Sequence, residues 1–103
     1  MTIADMSIAD TILEQLGCHR FIIMTGAKTF VATELGVQFK LPARIARNGI
    51  NSVVINLNDS DTYDTYYYKI RGVDVKRVGT EHNIYADELQ NRFTSMTGLA
   101  TAL

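Results

Sequence analysis

The sequence holds one cysteine, one proline and two histidines, and each scarcity excludes something. With Cys18 alone no intramolecular disulfide forms, which fits a reducing compartment. Cys18, His19 and His82 are the whole supply of thiol and imidazole ligands. A structural zinc site takes four ligands and a catalytic one three. On a strand, the adjacent Cys18 and His19 would point to opposite sides. No metal centre and no cofactor is expected. No run of about 18 apolar residues occurs, so no membrane span and no membrane partner is expected. The opening MTIADMSIAD is acidic and alternating, without the basic flank and apolar stretch of a secretion signal. The expected location is the cytoplasm.

What is present suits one domain over residues 1–103, long enough to bury a core without covalent staples. Formal charge is −1, but it is unevenly spread. Residues 1–19 carry −3. Residues 20–77 carry +4, nine Lys/Arg against five Asp/Glu, and residues 78–103 carry −2. A basic centre between acidic ends can form a charged face that net charge conceals.

The first apolar pattern is helical. Ile8, Ile12, Leu13 and Leu16 recur on one side, widened by Met6 and Ala9, with Ser7 and Asp10 as a loose capping pair and Gly17 as the stop. RFIIMT (20–25) is β-branched and aromatic and reads as a strand buried on both faces, bulged or turned near Gly26 and Lys28 before TFVAT. Residues 37–41 alternate apolar and polar, and Pro42 ends that strand. Asn48-Gly49 turns the chain into INSVVINL (50–57), residues 58–61 turn it again into 62–71, and Gly72 reverses it into 73–78. A last helix is expected over 85–97, with Tyr85, Leu89, Phe93 and Met96 on one side and Gly98 ending it.

The expected fold class is therefore α+β: a mostly antiparallel sheet of about five strands with an N-terminal and a C-terminal helix packed on one face. The expected core contains Ile12, Leu16, Phe21, Ile23, Phe39, Leu41, Val53, Ile55, Leu57, Val75, Leu89 and Phe93.

Catalytic patterns are incomplete. Asp59-x-Asp61 begins like a calcium loop, but Tyr63, Asp64 and Ile70 stand where the EF-hand needs an oxygen ligand, Gly and Glu. A solvated turn is the simpler account. Thr25-Gly26-Ala27-Lys28-Thr29 lacks the glycine spacing of a phosphate loop. Cys18 with His19 or His82 would make a nucleophile and base only if the fold brought them together. The carboxylate pairs Glu81/Asp87 and Asp64/Asp74 have no distinguishing context. The chain is not expected to be an enzyme.

The most informative stretch is Tyr66-Tyr67-Tyr68-Lys69-Ile70-Arg71. Alternation puts Tyr67, Lys69 and Arg71 on one side, and with Lys40 and Lys76 they are expected to form an exposed basic and aromatic sheet face. Bases stack on such rings while Lys and Arg follow phosphates, which makes single-stranded DNA or RNA one class of partner. Tyr and Arg also anchor protein interfaces, and a sheet edge or face can pair two copies into a homodimer.

MTGAK (24–28), FKLP (39–42), DTYD (61–64), KIRG (69–72) and YADELQNRFTSMTGL (85–99), in that order and spacing, resemble a group of small proteins encoded by bacteriophages and prophages. That resemblance implies no catalytic or binding residue. It implies a phage accessory protein acting in a bacterial host cell, bound to a host or phage protein, for example as an inhibitor of host defence of the anti-CRISPR type. The single-stranded nucleic-acid binder is the alternative.

Overall fold

The computed structural model describes residues 6–101. Helix α1 (Met6–Leu16) runs into α2 (Cys18–Thr25). Five strands follow: β1 (Lys28–Ala32), β2 (Gly36–Lys40), β3 (Ser52–Leu57), β4 (Tyr63–Arg71) and β5 (Asp74–Ile84). Helix α3 (Leu89–Thr97) closes the chain. The strands form one antiparallel meander in the order β1-β2-β3-β4-β5, so the α+β architecture is as the pattern predicts. The helices cover one side of the sheet. The side chains of Met6 and Ser7 lie outside the described residues, and with them the expected capping pair.

Residues 20–25 are a helix, not the expected strand. Gly17 (φ 116) and Gly26 (φ 72) are left-handed and bracket the segment, and the Gly26 N–H donates to Ile22 O at 2.9 Å. Phe21 and Thr25, one turn apart, are buried, whereas Ile23 is 66% exposed. That is a helical period, and it overrides the strand preference of Phe and Ile. Gly26 is thus a helix cap. The bulge falls between Lys28 and Val31 in β1, where Thr29 takes φ 56.

The core lies between helices and sheet. Phe21 meets Phe39 and Phe93 at centroid distances of 5.4 and 5.1 Å, tying α2, β2 and α3 together. Ile12, Leu16, Val53, Ile55 and Leu89 fill the rest. Gly36 lets β2 approach β3, since a Cβ there would stand 1.8 Å from the Ile55 carbonyl oxygen. Val75, expected inside, is 63% exposed opposite Ile70. Tyr85 is exposed because it precedes the helical turns. Gly98 ends α3 as predicted, its N–H donating to Thr94 O at 2.7 Å.

The acidic turn is organised by Asn58. Its Oδ1 accepts from Ser60 N and Thr62 N at 2.9 and 3.2 Å, and its Nδ2 donates to Asp64 at 3.0 Å. Burial raises the Asp64 carboxyl, but hydrogen bonds from Asn58, the Asn83 N–H and His82 outweigh it and hold Asp64 below its ordinary value. No group of three or more metal-ligating side chains occurs among the described residues. None of the described helices is long and apolar enough to cross a membrane.

Candidate nucleic-acid interface

Strand register decides which side chains share a face. Phe39 stands opposite Val53, and Val53 opposite Tyr67. Tyr67 therefore points into the core, where its exposure is 0%. Tyr67 cannot belong to an exposed face, which corrects the expected grouping. Lys69, Arg71 and Lys76 share its side of the sheet, at the end that the helices leave uncovered, whereas Lys40 lies on the opposite side.

The open side has its own composition. Pairings of Lys28 with Lys40, Lys40 with Ser52, Ser52 with Tyr68 and Tyr68 with Arg77 make one straight row across all five strands. The parallel row is Val31, Gln38, Val54, Tyr66 and Thr80. Tyr66 and Tyr68 are half-buried, Val31 is 51% exposed, and Ile70 with Val75 continues the surface. An outer face kept only for solubility would be polar. This one carries two tyrosines among valines and isoleucine, flanked by Lys28, Lys40 and Arg77.

Two linked contacts hold the Tyr66 ring. Tyr66 meets the edge of His82 at a centroid distance of 6.1 Å, and His82 Nδ1 lies 3.3 Å from Asp64. His82 is thus committed to Asp64, while Cys18 is exposed at the start of α2. The carboxylate pairs are also dispersed. Glu81 pairs with Arg92, and Asp64 and Asp74 stand at opposite ends of the β4–β5 hairpin.

Charge is sorted along the strands. β1 begins, β2 ends, β4 ends and β5 begins at one end of the sheet, which gathers Lys28, Lys40, Lys69, Arg71, Lys76 and Arg77, plus Arg44 and Arg47 from the connector. Asp74 is the single carboxylate there. Glu34, Asp59 and Asp61 lie at the other end. Arg47 has a structural role, donating to Ser95 O at 2.9 Å beside the C-terminus of α3. Among the described residues, Arg92–Glu81 is the ion pair between an Arg or Lys and a carboxylate, and His82 lies against Asp64. The other seven cations at the basic end thus have no carboxylate partner there. Net charge near zero conceals this polarity.

Sequence reasoning missed Lys28, Ser52, Tyr66, Tyr68 and Arg77. The signal was available in the hairpin. A connection over 58–62 sets Leu57 against Tyr63, and counting back sets Val53 against Tyr67.

No protein-family model matches the chain, and no curated protein or solved structure is similar to it at a significant level. The resemblance to phage-encoded proteins rests on the sequence motifs alone.

Proposed function

We propose that this protein is a non-catalytic binder of single-stranded nucleic acid, using the open sheet face of Tyr66 and Tyr68 with Lys28, Lys40 and Arg77. The observation that carries this reading is the row that runs from Lys28 through Tyr68 to Arg77 without a carboxylate. Tyr66 and Tyr68 are two residues apart on one strand, so about 6.8 Å separates them. A stacked strand rises about 3.4 Å per nucleotide. Bases on successive tyrosines must therefore be drawn apart, which a single strand permits and a duplex resists. The cations then follow the phosphates. In the phage setting that the motifs imply, the bound strand would be phage or host DNA or RNA.

Fluorescence anisotropy with labelled oligo-dT and oligo-U across a salt series tests this. Binding is expected to weaken as salt rises. Tyr68→Ala is expected to weaken binding by about 1–3 kcal/mol, the worth of one base–aromatic stack. Absence of binding at low salt would overturn the reading and favour the protein partner implied by the phage resemblance.

A further inference from the structure

At the Lys28 end of the open face lies a hollow of about 190 Å³, walled by Lys28, Lys40, Leu41, Asn51, Ser52 and Ile70 among others. The two lysines are register partners on β1 and β2, so both reach the same mouth. Ser52, the next residue in that row, is 2% exposed, and its hydroxyl has no hydrogen-bond partner. Asn51 braces the rim by a two-way amide bond to the Ile70 backbone, with both contacts at 2.8 Å.

A buried hydroxyl without a partner costs about 1–3 kcal/mol, and native proteins rarely leave one without a reason. Among the described residues, the other unpartnered buried side-chain atoms belong to Gln15, Thr65, Tyr67 and Glu81. Thr65, Tyr67 and Glu81 lie in register on the helix side of the sheet, and Gln15 lies on α1. Ser52 alone stands on the open side, under two lysines whose exposed side chains can swing aside. Two ammonium groups and one hydroxyl donor suit a tetrahedral oxyanion with several acceptor oxygens. Leu41 and Ile70 offer an apolar wall for the sugar attached to it.

We infer that this hollow is a phosphate site: Lys28, Lys40 and the Ser52 hydroxyl take one phosphate ester of a nucleotide. The inference rests on the nucleic-acid reading above and gives that interface its anchor. Tyr68 adjoins Ser52 in the row, so the neighbouring base reaches a ring. A terminal monoester and an internal diester share this chemistry.

The test has two arms. In the first, inorganic phosphate is titrated into the ¹⁵N-labelled protein and into Ser52→Ala. Saturable shifts are expected at the amides of Lys28, Lys40 and residue 52, with about tenfold weaker binding in the variant. Its melting temperature should be equal or higher, because the substitution removes an unpartnered hydroxyl. In the second arm, oligo-dT with and without a 5′-phosphate is bound to both proteins. A preference for the 5′-phosphate that Ser52→Ala removes identifies a terminal monoester. Equal affinity for both oligonucleotides, lowered by Ser52→Ala, identifies an internal diester. Phosphate binding without strand binding would sink the nucleic-acid reading and leave the phosphate site standing. Strand binding with Ser52→Ala equal to the unaltered protein, or no saturable shift with phosphate, would overturn the inference alone.

Discussion

Tyr67→Ala is expected to lower the unfolding free energy by about 3–5 kcal/mol, whereas Tyr66→Ala and Tyr68→Ala should each cost about 1 kcal/mol. Three consecutive tyrosines thus have two opposite tasks. Tyr67 is among the largest fully buried side chains, so truncation leaves a cavity between β4 and the helices. Its hydroxyl makes no hydrogen bond of ordinary geometry, although the Thr65 hydroxyl is near enough to lower its pKa. Tyr67→Phe should therefore match or exceed the stability of the unaltered protein, since it removes a buried donor and leaves the packing intact. Burial pushes the Tyr67 pKa up to about 12 from 10.0, with smaller effects from Thr65, Glu81 and Arg92. The folded state then holds the proton through a pH range in which the unfolded chain releases it. Stability is full below pH 10 and falls between pH 10 and about 12, by about 3 kcal/mol for this one group. Urea melts of the unaltered protein and of Tyr67→Phe at pH 9 and pH 11.5 check both statements. The alkaline loss should shrink in the variant, and an identical loss would contradict the burial argument.

Removing Lys28, Lys40 and Arg77 together, each as Ala, is expected to lower single-strand affinity about a hundredfold at 0.1 M salt. Each phosphate neutralised contributes about 0.7 to the slope of log affinity against log salt on a single strand. Three contacts therefore amount to about two decades between 1 M and 0.1 M salt. The triple variant should bind weakly and with a slope flatter by about 2. Its fold should stand, because Lys28, Lys40 and Arg77 are exposed and none pairs with a carboxylate among the described residues. An unchanged slope would move the phosphate path to Arg44, Lys69 and Arg71 around the same end of the sheet.

The fold was legible where local rules agree with the final packing. The alternation of Val37 and Phe39, the left-handed Asn48 and Gly49, the reversal at Gly72 and the cap at Gly98 are all in place. It was illegible where tertiary context overrides composition. Phe21, Ile22 and Ile23 favour a strand, yet two glycines nine residues apart bracket a helix whose buried side is Phe21 and Thr25. β5 runs to Ile84, well beyond residue 78, because two register shifts absorb extra residues and keep it paired to β4. The site suffered from parity. Strand alternation separated Tyr67 from Tyr66 and Tyr68, but composition alone does not say which side the helices cover. Cross-strand register does, and it reverses the face. Lys40 does lie on the open side, but with Tyr66 and Tyr68 instead of Tyr67, and the basic end emerges only once four strand termini are brought together.

The most direct test of the open face is a map of backbone amide shifts in the ¹⁵N-labelled protein during titration with an unstructured single strand such as oligo-dT. The account predicts shifts at Lys28, Lys40, Ser52, Val54, Tyr66, Tyr68 and Arg77, with α1, α2 and α3 quiet. Shifts centred on the helices, or none at low salt, would contradict it.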